Sequence, residues 1–361
     1  MPPSTLRASG LPRDTSGPVV ATGYATRLSD GRLQCDACPR SCRLHEGQRG
    51  LCFVRARQDD RIVLTSYGRS SGFHVDPIEK KPLNHFLPGT GVLSFGTAGC
   101  NLSCRFCQNW DISKSRETDT LAHAASPERL ARTAMESGCR SVAFTYNDPV
   151  VFQEYAVDVA EACREIGIRS VAVTAGYHGR RARRDFYRWM DAANVDLKGF
   201  TEAFYRRLCG GALQPVLETL LYIRQETHVW LEITTLLIPG ENDSDAELDR
   251  LTGWVAGHLG PETPVHFTAF HPDWMMRDRP PTPPATLHRA RRIALGNGLR
   301  FSYTGNIRNE EGGTTFCSGC GTALVVRNGY DIREWRLAEG GRCCRCEAVC
   351  PGVFESHPGP R

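Results

Sequence analysis

The 361-residue sequence has no apolar run long enough to cross a bilayer. Its best candidate, Val229 to Pro239, is short and broken by Glu232 and two threonines, where a spanning helix needs about 20 apolar residues. The first 20 residues also lack the apolar core of a secretory signal; rich in Pro, Ser, Thr and Gly, they read as part of a disordered leader. A dominant charge is missing too. With 44 basic against 40 acidic residues the formal net charge is +4, too balanced to argue for a nucleic-acid or membrane-surface partner. These absences leave the expectation of a cytoplasmic globular chain, 40% hydrophobic, with ample material for a core.

Cysteine, by contrast, is abundant: there are sixteen. In a secreted chain they would be read as disulfides, but tight CxxC and CxxxC groupings without a signal favour metal ligation. Cys35, Cys38, Cys42 and Cys52 form one group, Cys100, Cys104 and Cys107 a second, and Cys317, Cys320, Cys343 and Cys346 a third. Cys139, Cys163 and Cys209 stand alone and read as buried hydrophobes.

Between the flanking groups, short β-rich runs alternate with helical stretches, the signature of a parallel sheet or barrel. Strands are expected at Val92–Gly96, Ser141–Tyr146, Arg169–Thr174, Asn194–Leu197, Leu231–Ile238, Val265–Phe270 and Leu299–Tyr303. Ser126-Pro127-Glu128 and the capping box Ser244-x-x-Glu247 mark helix starts. Cys100, Asn147 and Asp148, Gly176, Lys198, His271 and Asn306 each follow a strand. In an α/β barrel the loops after the strands open on one face, so one shared pocket is expected.

Cys100-x-x-x-Cys104-x-x-Cys107 supplies three thiolates within eight residues, enough for three irons of a cubane cluster with the fourth left free of protein ligands. The bland alternative is a structural zinc or a chance run. Here the sequence resembles the radical S-adenosylmethionine (SAM) superfamily, through CxxxCxxC after the first barrel strand and Phe106 before the last cysteine. The longer segments FGTAGCNLSCRFCQNWDIS, DPIEKKPLNHFLPG, FTYNDPVVFQEY, VDLKGF, EITTLLIPGEND, HFTAFHP and YTGNI resemble the radical SAM enzymes of the AmmeMemoRadiSam system, which are similar to the pyruvate formate-lyase activating enzymes. The resemblance covers about residues 30 to 350.

That resemblance implies an α/β fold, a partial TIM-like (β/α)6 barrel. It implies a [4Fe-4S] cluster on Cys100, Cys104 and Cys107, and SAM as cosubstrate, cleaved to methionine and a 5'-deoxyadenosyl radical that abstracts hydrogen from the substrate. Phe106, Asn147, Asp148, Asp196 and Lys198 fall on cofactor-binding positions. Relatives more often carry Glu where Asp148 stands, and the shorter carboxylate puts a direct contact in question. Asp196 and Lys198, two residues apart on a strand, would share one face. A flavodoxin or ferredoxin is the implied electron donor, with proteins of the AMMECR-like and Memo-like families as partners. The substrate stays open between a protein glycine, as in the activating enzymes, and a small molecule or nucleoside. A non-catalytic zinc-dependent RNA- or protein-binding module is the contrasting class.

Asp76 to Gly89 is too polar and irregular for a core strand. As a loop it would fold over the barrel mouth, placing Glu79, Lys80, Lys81 and His85 against an anionic substrate or the SAM carboxylate; a solvated connector is the alternative. His271, before Pro272 at a strand end, is a further catalytic candidate. The Arg180-Arg181-x-Arg183-Arg184 run reads as a solvated helix face, with phosphate or RNA binding as the sharper alternative.

The C-terminal cysteines flank a hairpin expected to turn at Asn328-Gly329, the pattern of a zinc ribbon, with an iron site as the alternative. At the N-terminus, Cys35-x-x-Cys38-x-x-x-Cys42-x(9)-Cys52 fits a closed structural site. Zinc and a second iron-sulfur cluster are both sensible there; zinc is preferred because the spacing matches no familiar ferredoxin run. The expected organisation is a leader over 1–23, an N-terminal metal module over 24–60, a connector over 61–91, the barrel over 92–308 and the zinc-ribbon-like module over 309–361.

Overall fold

The computed structural model describes residues 19–114 and 123–355. Of the leader expected over 1–23, the first 18 residues lie outside this range, and the remainder departs from the expectation. Val20–Ala21 is a strand, paired antiparallel with Val63 and Leu64.

The core is a nine-stranded mixed sheet. Its strands in chain order are β1 (Arg69–Pro77), β2 (Gly91–Gly96), β3 (His123–Ala124), β4 (Cys139–Phe144), β5 (Arg169–Thr174), β6 (Ala192–Asp196), β7 (Trp230–Leu237), β8 (Val265–Ala269) and β9 (Ser302–Gly305). Their spatial order is β9-β8-β7-β6-β5-β4-β2-β1-β3. The seven strands from β2 to β9 other than β3 run parallel, one more than a six-stranded barrel needs. β1 lies antiparallel against β2, and β3 against β1.

Alternation along each strand separates two faces. Leu93, Phe95, Val142, Phe144, Ala172, Val195 and Ile233 join the main core cluster, shared with the helices. Those helices include α1 (Pro127–Glu136), α2 (Gln153–Glu165), α3 (Arg180–Tyr187), α4 (Gln214–Glu226), α5 (Asp245–His258) and α6 (Pro284–Gly296). The capping signals hold: Ser126 accepts a hydrogen bond from the Arg129 amide and Ser244 from that of Glu247, each at 3.3 Å. On α3 the arginine run is not uniformly solvated, since Arg183 is buried with its guanidinium over Tyr222.

The opposite face carries Val92, Ala143, Val171 and Ala192, packed against Ile78, Leu83, Phe86 and Leu87. The Asp76–Gly89 segment is therefore a floor under the sheet, not the cover over its mouth that its polarity suggested. The cause is strand direction. Because β1 runs antiparallel to β2, with Pro77 opposite Gly91, it delivers the chain to the edge where the parallel strands begin. The segment crosses there and pairs Phe86 with Val353 of the C-terminal module.

That module is built on β10 (Ala323–Asn328) and β11 (Asp331–Trp335). Asn328 pairs with Asp331, so the hairpin turns at Gly329-Tyr330, one residue later than expected, with Gly329 at φ 62° supplying the left-handed conformation the turn requires. At the other end, two three-stranded sheets form the N-terminal module. It docks through the buried Arg55, whose guanidinium meets Glu154 at 2.7 and 3.0 Å. No helix among the described residues is long and apolar enough to cross a membrane.

Candidate active site and metal centres

Parallel strands end on one edge, and the residues picked out by sequence gather there. The loop after β2 carries Cys100, Cys104 and Cys107, and it is tied down at several points. The Asn147 side-chain amide donates to Gly99 O at 2.7 Å, while its oxygen accepts from the Thr97 amide at 3.2 Å. The Ser103 and Arg105 amides donate to the carbonyls of Cys209 and Leu208, both at 2.9 Å. Lys114 reaches Leu102 O at 2.7 Å, and Ser113 Oγ lies 3.1 Å from Cys107 Sγ. Gly99 is required for closeness. A Cβ there would stand 2.0 Å from Cys52 O, and its φ of +81° disfavours any side chain.

Asp148 is buried beside this loop. Thr174 donates to its Oδ1 at 2.7 Å, while Oδ2 has no hydrogen-bond partner. Burial pushes its carboxyl above the ordinary carboxylate range. Asp196 ends β6, and Lys198 lies two residues on. Their side chains meet at 2.6 Å. Burial works against the Lys198 charge, but Asp196 and the nearby thiols of Cys104 and Cys209 hold its pKa well above the ordinary lysine value.

Cys209 is not the isolated buried hydrophobe its sequence position suggested. Its thiol sits against Cys104, and this contact holds the Cys104 thiol down to about 6. Phe106 packs at 5.9 Å against Phe204 within the core. His271 is exposed after β8. Asn306, after β9, donates to Ala269 O at 3.1 Å.

Within the floor, Lys81 is buried against Asp76 at 2.7 Å, with its ammonium 5.5 Å from the Tyr146 ring centroid. Burial lowers the Lys81 pKa against the pull of Asp76. His85 is wholly enclosed. Its Nδ1 donates to Pro351 O at 2.7 Å, which leaves Nε2 to accept from the Tyr303 hydroxyl at 2.6 Å. Glu79 accepts from the Gly89 amide at 2.7 Å and lies 3.6 Å from Arg327 of β10. Glu79 and Lys80, with Asn306, Arg308 and Arg327, line an open cleft that reaches the loop-bearing edge.

Sequence reasoning missed Glu232. Fully buried on β7, it accepts from the amides of Asn84 and His85 and from His266 Nε2 at 3.0, 2.8 and 2.6 Å. Its signal was a lone acid in an apolar strand, a residue type that is buried only when paired.

The C-terminal sulfurs of Cys317, Cys320, Cys343 and Cys346 all lie within 4.8 Å of one another, with Cys317–Cys346 at 3.5 Å and Cys320–Cys343 at 3.7 Å. This group can hold a metal ion.

The sequence pattern of the Radical SAM superfamily matches residues 95–251, a span containing the cysteine triad, Asn147, Asp148, Asp196 and Lys198. An uncharacterized protein of Methanocaldococcus jannaschii is 37% identical over 324 residues, covering 90% of this chain and 96% of that protein. The chain belongs to the radical SAM superfamily. Membership implies a [4Fe-4S] cluster, SAM and a reductant. The pyruvate formate-lyase-activating enzyme of Clostridium pasteurianum is 24% identical over 168 residues, 45% of this chain and 68% of that enzyme. A domain of the pyruvate-formate lyase-activating enzyme from Bacteroides vulgatus matches in structure at 16% identity and a TM-score of 0.41, covering 46% of this chain and 99% of that one.

Proposed function

We propose that this radical SAM protein holds a [4Fe-4S] cluster on Cys100, Cys104 and Cys107 and cleaves SAM reductively to abstract hydrogen from a substrate in the cleft beside the floor. The donor set fits the cluster: three thiolates on one pinned loop leave one iron for SAM. When bound, the cluster supplies the electron that splits the sulfonium into methionine and a 5'-deoxyadenosyl radical.

The chain's own residues then have definable tasks. Asn147 fixes the carbonyl of Gly99, so the loop keeps its shape; with both ends of its amide engaged, its part is positioning. Asp148 presents a buried carboxylate oxygen without a full hydrogen bond, suited to a donor such as the SAM ammonium. The Asp196–Lys198 pair brings charges of both signs beside Cys104, where SAM carries an ammonium and a carboxylate. Tyr146 and the floor exclude water from beneath. The curled sheet is read as a partial barrel and the C-terminal group as a structural zinc site.

The observation that carries this reading is the convergence of Cys104, Lys198 and Asp148 at one strand-end edge. The cleft's mixture of Glu79, Lys80, Arg308 and Arg327 favours a polar substrate bearing anionic groups; a protein glycine, as for an activating enzyme, is the second reading. Anaerobic incubation of reconstituted protein with SAM and a one-electron reductant should release 5'-deoxyadenosine, and Cys104→Ala should not. Equal release from both would reject the assignment.

A further inference from the structure

The three cysteine groups differ in how far apart their sulfurs stand. A zinc ion with Zn–S bonds of about 2.3 Å sets its tetrahedral sulfurs roughly 3.8 Å apart, and the C-terminal group has that spacing, at 3.5 and 3.7 Å. Among the described residues no other three ligand atoms of Cys, His, Asp or Glu lie mutually within 4.8 Å. Cys35, Cys38, Cys42 and Cys52 therefore behave like the central triad, with sulfurs too widely spread to meet on a single ion. A cubane, whose irons occupy separate corners, needs such spread thiolates.

These four cysteines nevertheless surround one small space, whose other walls include Ala37, Leu51, Val150 and Val151. One buried cation, Arg55, stands in the same wall, clamped by Glu154. An apolar chamber with four sulfurs and a fixed positive charge suits a thiolate-ligated cluster, whose total charge is negative.

Its position is equally specific. Asn101 forms part of the chamber wall, and its Oδ1 lies 3.7 Å from Cys100 Sγ. Arg40, in the same wall, donates to Asn101 O at 2.7 Å, and Cys52 O occupies the space that a side chain on Gly99 would need. The chamber and the triad thus share a wall one residue thick. On its other side the chamber is covered by Leu51, which is 48% exposed.

We propose that Cys35, Cys38, Cys42 and Cys52 hold a second [4Fe-4S] cluster, fully ligated by protein, that relays single electrons from the surface at Leu51 to the cluster of the central triad. With four thiolates it has no iron free for SAM, so its chemistry is confined to electron transfer. A reduced low-potential protein donor loses one electron; the closed cluster gains it and is reoxidised as the central cluster is reduced, with no bond made or broken at the relay. The relay role rests on the function proposed above, whereas the cluster assignment does not.

Metal and acid-labile sulfide analysis of the anaerobically reconstituted full chain, with Mössbauer spectra, tests the cluster directly. About eight irons and one zinc per chain are expected, against about four irons and two zincs if the site takes zinc; the latter overturns the proposal. The triple variant C100A/C104A/C107A should retain about four irons with a [4Fe-4S] spectrum that SAM does not perturb, and an iron-free triple variant would equally sink the assignment. C38S/C42S should lose that half of the iron, keep the SAM-induced change in the electron paramagnetic resonance signal of the remaining cluster, and be reduced by reduced flavodoxin at least about tenfold more slowly, a barrier rise of about 1.4 kcal/mol. Unchanged reduction kinetics would remove the relay role. Should C38S/C42S not fold, the metal count of the unaltered chain still decides the cluster. Eight irons with no response to SAM would instead reject the proposed function and leave the second cluster standing.

Discussion

The side-chain amide of Asn147 donates to the carbonyl of Gly99 at 2.7 Å, one residue before the first cysteine of the central triad. A residue from the loop after β4 thereby sets the shape of the loop after β2. Asn147→Ala would leave the Gly99 carbonyl and Thr97 amide buried without this partner, at about 1–3 kcal/mol for each group. The expected outcome is a lower melting temperature and faster loss of iron from the central site on dilution into chelator. Asn147→Asp should do no better, because a carboxylate cannot donate to the carbonyl; iron retention equal to wild type in either variant would contradict the positioning role.

Cys209 offers a sharp test of how many thiolates hold the central cluster. It touches Cys104 and could be taken for a fourth ligand. If the cluster keeps an iron open for SAM, Cys209→Ala should retain the iron content and cleave SAM within roughly fivefold of wild type, about 1 kcal/mol in barrier. Cys104→Ala should lose both. Iron loss in Cys209→Ala would identify a four-thiolate site and remove the place for SAM.

Lys198→Met would strip Asp196 of its 2.6 Å partner and the Cys104 side of the site of a nearby cation. A charge-assisted hydrogen bond is worth about 1.5–3 kcal/mol, so the KM for SAM should rise by roughly 10- to 100-fold while the iron content stays unchanged. Titration of SAM against 5'-deoxyadenosine release reads the first quantity and iron analysis the second. An unaltered KM would confine the pair to a structural role.

Much of this arrangement was legible in the sequence because it depends on local pattern. Six of the seven parallel strands were expected within about two residues of their observed bounds, since β-rich runs alternate with capped helices, whereas the last, expected at Leu299–Tyr303, starts later, at Ser302. The residues at the loop-bearing edge followed from strand direction alone. The floor was misplaced for a reason of equal simplicity: nothing within Asp76–Gly89 reveals that β1 enters antiparallel, and that direction decides which end of the sheet the segment covers. Glu232 and Arg327 escaped because their partners, Asn84 and His85 for one and Asn84 and Thr315 for the other, are distant in the chain. Cys209 escaped for the same reason. The spread of sulfurs that separates the N-terminal group from the C-terminal one is a three-dimensional quantity that spacing along the chain does not encode.

His85 predicts a dependence of stability on pH. Enclosed by Trp230, Phe301 and Tyr303, its imidazole is pushed down by burial to about 4, from an ordinary value of 6.5. Between these values the unfolded chain binds a proton that the folded chain does not, so stability rises with pH through this window. The contribution of neutral His85 is complete above about 6.5 and is lost progressively as the pH falls towards 4. His85→Gln, which cannot titrate, should show a flatter melting temperature across pH 4–6.5 than wild type, whatever its absolute stability. Parallel profiles would mean that His85 is charged in the folded protein.

The C-terminal metal group and the floor are mechanically joined through Arg327, and the two can be separated by mutation. The Arg327 guanidinium donates to Asn84 O at 2.7 Å and to Thr315 Oγ1 at 2.9 Å, tying β10 to the segment beneath the sheet. A metal on the four cysteines would hold the far ends of the same hairpin, and a segment this small would draw much of its folding energy from the ion. Cys320→Ser should therefore lose one zinc and lower the melting temperature, and a zinc chelator should do the same to wild type. Arg327→Met should keep the zinc yet lose about 1–3 kcal/mol, because the buried Asn84 carbonyl loses its guanidinium donor while Thr315 Oγ1 keeps the Tyr303 hydroxyl at 2.9 Å. If Cys320→Ser melts like wild type, the ion does not support the floor; if Arg327→Met sheds zinc, the tie transmits strain back to the metal site, and the two elements are one cooperative unit.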